Sequence, residues 1–304
     1  MLLSGNSTFH DPLIMGDIAN MIKHEPEILK LDRTGVADIA VLCDEESMHY
    51  VNAFNKQFHS YNREARERLA HIGAPIDFYL MSDINDPRMR DYKVYVFLNA
   101  FYITPEQRKA IQAKLARNKA TAVWCYGAGY LSPSGNSVKG MEQLTGFKFD
   151  KISRLNKQQV TIADSKHPFM RDSRNTGEEF YFAPAFAVKP DSGVSGLGVF
   201  GKHTVIASKE TSFGTSVYTL VPPTPELLRS ICRAKNIHLY NTDNDVIRAN
   251  RSIVMIHASS GGRKVINLPW NTPAKEVVSG KIYPAGKVTL DMKAGHTAIF
   301  IKQK

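Results

Sequence analysis

An apolar run that ends abruptly in acids constrains the fold of this chain more than any other feature. Residues 36–43 read VADIAVLC, a run interrupted only by Asp38. Such a run is typical of a central parallel strand covered on both faces, because a half-buried strand would alternate between apolar and polar residues. The acidic tip DEES follows at 44–47. Ligands bind outside the carboxyl ends of strands in open α/β sheets, so this tip is the first candidate site.

Strand-like and helix-like segments alternate after this run. We predict one long helix from Ser47, its N-cap, to Ile72, with Gly73 closing it. Thr104 and Thr224 are each followed by Pro-Glu, which is typical of the start of a helix. The alternation predicts a doubly wound parallel sheet, and we take its strand order as 2-1-3-4, the flavodoxin-like order. Its further strands are predicted at 75–83, 92–100 and 121–127.

The predicted organisation has three parts. Residues 1–35 are a lead-in with a helical spacing of apolar residues, which Pro26 is expected to end or bend. Residues 36–240 form the α/β domain, which closes with a short strand, IHLY, at its end. Residues 241–304 alternate short strand-like runs with turn signals, which predicts a small antiparallel β-sandwich domain.

Composition excludes several classes of function. The 304-residue chain contains no run of eighteen apolar residues and begins without a secretory signal, so we expect a cytoplasmic protein without a membrane partner. Its net charge is +10, but the basic residues are scattered and no RNA-binding or zinc-finger spacing occurs, so a nucleic-acid partner is not expected. Three cysteines without a CxxC pair predict neither a disulfide framework nor a zinc site. We predict no cofactor and no metal.

Several segments, taken in order, resemble the C-terminal region of β-galactosidase-like, family 42 type glycoside hydrolases. The segments are IAVLCDEES, DYKVYVFLNAFYITPEQRKAI, AVWCYGAGYLS with MEQLTGFKF, VYTLVPPTPELLRSICRAKNIHLY, NTDNDVIRAN, NRSIVMIHASSGGRKVINLP and HTAIFIK. The resemblance implies a trimerisation domain with a class I glutamine amidotransferase-like fold, followed by a β-sandwich. It also implies a homo-oligomer, with a trimer favoured, or a partner that carries the catalytic barrel.

The catalytic part of that family has no counterpart in this sequence. The family's acid and nucleophile carboxylates belong to a TIM barrel, which needs about 200–250 residues. Only some 35 residues precede the α/β pattern here. No catalytic residue is therefore assigned, and the chain alone is not expected to be an enzyme, although a hydrolase remains an alternative.

An amidotransferase-type cysteine site is a second alternative. Such a nucleophile lies on a glycine-flanked turn after a strand and is paired with a base. Cys125 falls within the strand, and we expect the turn to carry Ala128 and Tyr130 instead. His167 and His203 lack an acid partner at the family's spacing, so a working triad is not expected.

The candidate binding site is a crevice at the strand tips. In the order 2-1-3-4, Asn99 at the end of the third strand lies beside Asp44 at the end of the first. We predict that these two residues, with Glu45, Ser47, Tyr126 and Gly127, line a site for a small ligand or a carbohydrate. The acids of this tip equally fit a helix N-terminus, where the dipole favours them. Trp124, Tyr126 and Tyr130 could stack on a sugar, although aromatic residues in strands more often belong to the core.

The function favoured by the sequence is a non-catalytic oligomerisation or accessory module associated with carbohydrate processing. The alternatives are a hydrolase, of the amidotransferase type or a glycosidase, and a protein that binds a small ligand or carbohydrate in the crevice. Oligomeric state, turnover by the isolated chain and binding by variants of the crevice residues separate these hypotheses.

Overall fold

A computed structural model describes residues 12–52, 60–155, 159–175 and 182–303. The chain forms two compact units: one comprises Ala37–Val246, and the other comprises Met1–Val36 together with Ile247–Lys304. Within the described residues no helix is long and apolar enough to cross a membrane. The helices are α1 (Pro12–Ile28), α2 (Ala65–Leu69), α3 (Pro105–Ala116), α4 (Val138–Thr145) and α5 (Pro225–Ala234).

Four adjacent parallel strands form one side of the main sheet in the unit of residues 37–246. They are β1 (Ile39–Cys43), β2 (Ile76–Leu80), β3 (Val94–Phe97) and β4 (Thr121–Cys125). Their order is β2-β1-β3-β4, which confirms the predicted order. The first four residues of β1 are buried, as the apolar run predicted.

On the far side of β4 the sheet continues with one more parallel strand and then with antiparallel strands. The neighbour of β4, β12, is parallel to it, and β11, β10 and β8 continue the order, while β9 pairs with β11 and β7. A separate hairpin, β5 with β6, follows β4 in the chain. These strands are β5 (Leu131–Ser132), β6 (Gly135–Asn136), β7 (Phe149–Ile152), β8 (Thr161–Ile162), β9 (Ala185–Val188), β10 (Val194–Phe200), β11 (His203–Thr211) and β12 (Gly214–Thr219).

Threonine caps begin two helices that flank the strands. Thr104 Oγ1 accepts a hydrogen bond from Gln107 N at 3.1 Å, and the Gln107 side chain accepts one in return from Thr104 N. Thr224 Oγ1 accepts from Leu227 N at 3.2 Å. Each cap satisfies a backbone donor that the first helical turn leaves free, so both predicted Thr-Pro-Glu helix starts are confirmed.

The long helix predicted from Ser47 is wrong at its start. A single 3-10 turn, Glu46–Tyr50, follows β1, and Val51 after it is extended. Residues 53–59 of the predicted helix lie outside the described residues. Helical structure is found again at the π-helical turn Ser60–Glu64 and in α2. The strand predicted at IHLY is also wrong, because residues 237–240 have no strand partner.

The other unit joins α1 to seven strands. A five-stranded sheet has the order β13-β14-β19-β16-β17, and β15 pairs with β18 in a second, antiparallel sheet. Helix α1 continues through Pro26 to Ile28, so Pro26 does not end it. Strand β13 begins at Val246, the last residue of the α/β unit. The strands are β13 (Val246–Ala249), β14 (Ile253–His257), β15 (Gly262–Asn267), β16 (Ala274–Glu276), β17 (Ile282–Tyr283), β18 (Lys287–Met292) and β19 (Thr297–Lys302).

Contacts distant in sequence hold this unit together. Lys275 Nζ lies 3.0 Å from a Glu27 carboxylate oxygen, and Gly35 pairs with Asn250 in an antiparallel bridge. Trp270 Nε1 donates to Arg251 O at 3.0 Å. The predicted fold class, an α/β sheet followed by a small β-sandwich of antiparallel strands, is confirmed.

Candidate functional site

Asp44 and Asn99 meet at the carboxyl edge of the parallel sheet, as the strand order predicted. Asp44 N donates to Asn99 Oδ1 at 2.8 Å, and Asn99 Nδ2 donates back to Asp44 O at 2.8 Å. Both residues are buried. The amide side chain therefore forms a two-hydrogen-bond pair with the backbone of Asp44 and joins the loop after β1 to the loop after β3.

Ser47 extends this cluster towards the loop after β3. Its backbone N–H donates to Asp44 Oδ2 at 2.9 Å, and its hydroxyl donates to the same oxygen. The hydroxyl oxygen in turn accepts from the backbone N–H groups of Phe101 at 3.0 Å and Tyr102 at 2.8 Å. Ser47 is thus a buried bridge between two loops and not the N-cap of a long helix that the sequence predicted.

The hydrogen bonds of Asp44, Ser47 and Asn99 are directed towards one another and towards neighbouring backbone. Glu45 is exposed beside them, and Gly127 is buried on the β4 side. A Cβ atom on Gly127 would lie 3.3 Å from the Phe186 ring. Ligand binding at the six predicted residues stays a prediction. The hydrogen bonds of Asp44, Ser47 and Asn99 join the loops at the strand ends, which is a structural role.

Tyr126 forms the turn that leaves β4. Its φ of 53° lies in the left-handed region that a non-glycine side chain rarely adopts. A strained residue directly after a strand is the geometry of a nucleophile elbow, which presents its side chain at the end of the sheet. The turn expected at Ala128 and Tyr130 therefore begins earlier in the chain, and the elbow position holds a tyrosine.

The Tyr126 side chain is packed rather than presented. Its hydroxyl donates to Pro184 O at 2.7 Å. Four aromatic rings lie with their centroids 5.5 to 5.7 Å from its own: those of Tyr61, Phe101, Phe182 and Phe186. Aromatic rings at these separations attract one another beyond the burial of their surface. The elbow is thus filled by an aromatic cluster, which sequence reasoning missed because its members come from distant segments.

The thiol beside the elbow is in the wrong environment for nucleophilic chemistry. Cys125 is fully buried, and desolvation raises its pKa far above the ordinary range, which disfavours the thiolate. His167 Nδ1 accepts from Phe169 N, and its Nε2 lies 3.3 Å from Ser208 Oγ. His203 opens β11. The expectation that Cys125 lies within the strand is confirmed.

The proposed sugar-stacking residues have different environments. Trp124 is fully buried, stacks on Phe97 with ring centroids 4.4 Å apart, and donates to Ser216 Oγ at 2.7 Å, so it belongs to the core. Tyr130 is half-buried, with Lys151 Nζ 5.3 Å from its ring centroid. Within the described residues, no three His, Cys, Asp or Glu side chains are grouped to hold a metal ion.

Burial of Asp44 gives the cluster a predicted pH dependence. Burial raises its pKa above the ordinary aspartate value, against the two hydrogen bonds from Ser47. A raised folded-state pKa stabilises the fold below the unfolded-state pKa, and that stability is lost as pH rises through the folded-state pKa. The Asp44→Asn variant keeps an acceptor oxygen without the charge. We expect its free energy of unfolding to equal or exceed that of the wild type at pH 7. The difference should disappear towards pH 4, and urea unfolding at the two pH values measures it.

The Asp44→Ala variant is the control for the hydrogen bonds. It leaves the Ser47 N–H without its acceptor, so we expect it to lose about 1–3 kcal/mol at pH 7. A wild type that gains stability over Asp44→Asn as the pH rises would contradict the assigned direction of the pKa shift.

No protein-family model and no curated protein sequence matches this chain. Solved structures do match it. A β-galactosidase from Bacillus circulans sp. alkalophilus is similar over 90% of this chain and 42% of its own, with TM-score 0.63 and 13% identity. The β-galactosidase of the psychrophilic Marinomonas ef1 is similar over 94% and 42%, with TM-score 0.62 and 15% identity. Gan42B, a GH42 β-galactosidase from G. stearothermophilus, is similar over 95% and 43%, with TM-score 0.62 and 12% identity.

At these identities the likeness shows the fold. It confirms, at the level of the fold, the predicted resemblance to the C-terminal region of family 42 type enzymes. The chain spans about two fifths of the length of the β-galactosidases it matches.

Proposed function

We propose that this chain is a non-catalytic accessory module of a carbohydrate-processing enzyme and that it acts by self-association. The fold likeness to part of several β-galactosidases supports the association with carbohydrate processing. The tyrosine packed at the elbow supports a non-catalytic role, because a nucleophile elbow must present a reactive side chain.

The observation that carries the proposal of assembly is an apolar stripe along α1 and just beyond its end. Four large apolar side chains of this segment are exposed to solvent by 43 to 62%: Met15, Ile18, Ile22 and Leu29. A contiguous exposed apolar patch marks an interaction site more often than scattered apolar residues do. Their spacings of three, four and seven residues put them on one side of a helix. A stripe with this spacing fits the seam between helices of two or more copies of a chain.

The occupant of this stripe is a further copy of the chain. The heptad-like spacing is self-complementary, since identical stripes interdigitate when two or three helices associate. The family resemblance favours a trimer among these assemblies. A separate catalytic barrel is the alternative partner, and it would leave the isolated chain monomeric.

Light scattering coupled to size exclusion tests the proposal. We expect a species of three times the 34.0 kDa chain mass at high protein concentration. The double variant Ile18→Glu/Ile22→Glu should shift it towards monomer by at least tenfold in dissociation constant, because each buried Ile is worth about 1.5–3 kcal/mol. The variant Lys23→Glu, on another side of α1, changes charge without touching the stripe and should assemble normally.

Three outcomes would overturn the proposal. A monomer at all concentrations removes self-association, and equal loss of assembly in Lys23→Glu removes the stripe as its cause. Hydrolysis of a nitrophenyl β-galactoside in proportion to the amount of purified chain would instead favour the glycosidase alternative.

A further inference from the structure

A cavity of about 230 Å³ opens at the carboxyl edge of the sheet, separate from the Asp44 cluster. It lies between the start of α3, which follows β3, and the start of α4, which follows β4 and the β5–β6 hairpin. Carboxyl ends of parallel strands are where α/β folds bind ligands. We call this space the α3–α4 cavity.

The lining of the α3–α4 cavity is cationic. Arg108 from α3 and Lys139 from α4 reach it from two different helices, and no Asp or Glu is among the described residues that line it. Within the described part of the chain, Arg108 donates to Gln143 Oε1 and neither cation forms an ion pair. Two positive charges in a lining that contains no carboxylate favour an anionic occupant.

Hydroxyl groups complete the polar lining. Ser132, Ser134 and Ser137 all border the cavity, and the first two share a hydrogen bond of 2.9 Å between their Oγ atoms. Serine hydroxyls both donate and accept, so they can bind phosphate oxygens and sugar hydroxyls. Arg and Lys side chains are the charged groups that bind phosphate most strongly in proteins.

Part of the cavity wall is formed by the backbone of two glycines in close contact. Gly129 and Gly140 both line it, and a Cβ on Gly140 would lie 2.5 Å from Gly129 O. Gly129 has φ +75°, a conformation that favours glycine. The loop after β4 and the first turn of α4 therefore touch without side chains between them. The adjacent N-terminus of α4, whose Ser137 side chain makes no capping hydrogen bond, adds positive potential to the same wall.

We infer that the α3–α4 cavity binds the phosphate group of a small phosphorylated molecule through Arg108 and Lys139. The volume is that of about eight water molecules in the liquid, which is more than a single phosphate ion needs. The remaining space accommodates a compact organic group beside the serine hydroxyls. Free inorganic phosphate offers the same charged group and is the second source of this chemistry.

Isothermal titration of the full chain at constant ionic strength distinguishes these sources. The probes are inorganic phosphate, glucose 6-phosphate and, as the neutral control, glucose. We expect one saturable site for glucose 6-phosphate, weaker binding of inorganic phosphate and none of glucose. Arg108→Gln and Lys139→Gln should each weaken binding about tenfold or more, since hydrogen bonds to charged groups are the strong ones.

Lys109→Gln is the matched control, because Lys109 neighbours Arg108 on α3 but does not line the cavity. It removes the same charge from the chain, whose net charge is +10, and should change affinity less than twofold. Equal affinity for both phosphates supports the site and assigns it to the free ion. Absence of saturable phosphate binding, equal loss in Lys109→Gln, or equal binding of glucose would overturn the inference.

Discussion

The Gly73→Ala variant is expected to unfold far more readily than the wild type. Gly73 has φ +83°, and an added Cβ would lie 1.7 Å from Asn241 O and 2.8 Å from Asn241 C. Both atoms belong to the backbone, and Gly73 O also accepts from Tyr240 N at 2.8 Å, so the two segments cannot separate without losing a hydrogen bond. Backbone strain together with this overlap should cost at least about 3 kcal/mol. Urea unfolding measures the loss.

Gly193→Ala separates the two parts of that cost. Gly193 lies in the same unit with φ +73°, and nothing lies within 4 Å of its added Cβ. Its variant therefore reports the left-handed conformation alone, at about 1–2 kcal/mol. Equal destabilisation by the two substitutions would show that the contact with Asn241 is not what requires glycine at position 73.

Replacing Asn99 by leucine is expected to cost about 2–5 kcal/mol. The residue is 1% exposed, and its side chain forms hydrogen bonds of 2.8 Å with both the N–H and the C=O of Asp44. Leucine keeps most of the volume but leaves both backbone groups buried without those partners, at about 1–3 kcal/mol each. Thermal and urea unfolding both report this change.

Asn99→Asp tests whether the donor and acceptor roles of the side chain matter at this position, or only its volume. The carboxylate can accept from Asp44 N but has no donor for Asp44 O, so it should be destabilising although it is isosteric. Asn136→Leu, on the exposed β5–β6 hairpin, controls for a general effect of the Asn-to-Leu change. If Asn99→Asp were as stable as the wild type, the two hydrogen bonds between the Asn99 side chain and the Asp44 backbone would not be what stabilises this site.

The meeting of Asp44 and Asn99 could be predicted because it follows from strand order alone. Residues at the ends of adjacent parallel strands lie at one edge, and the apolar run of β1 fixed it as a central strand. The use of their polar atoms could not be predicted in the same way. Ser47 has the residue type of an N-cap, but its hydroxyl bonds Phe101 and Tyr102, more than fifty positions away.

Tyr126 shows a second limit of sequence reasoning. Its left-handed φ is rare for an aromatic residue, so nothing in the pattern AVWCYG indicates that the turn begins there. The Tyr126 side chain makes tertiary contacts in this conformation. Phe182 and Phe186 lie beside its ring, and its hydroxyl donates a hydrogen bond to Pro184 O. Local propensity is overridden by contacts that only the folded chain creates.

The bridge between Gly35 and Asn250 has a consequence for the order of folding. It brings together two stretches that the whole of residues 37–246 separates along the chain. Closing so long a loop costs entropy that increases with its length, and a loop that has already folded removes much of that cost. We therefore expect the unit of residues 37–246 to fold first, and α1 and the C-terminal strands to assemble after it. On heating, the unit that contains α1 should unfold at the same temperature as the unit of residues 37–246 or at a lower one.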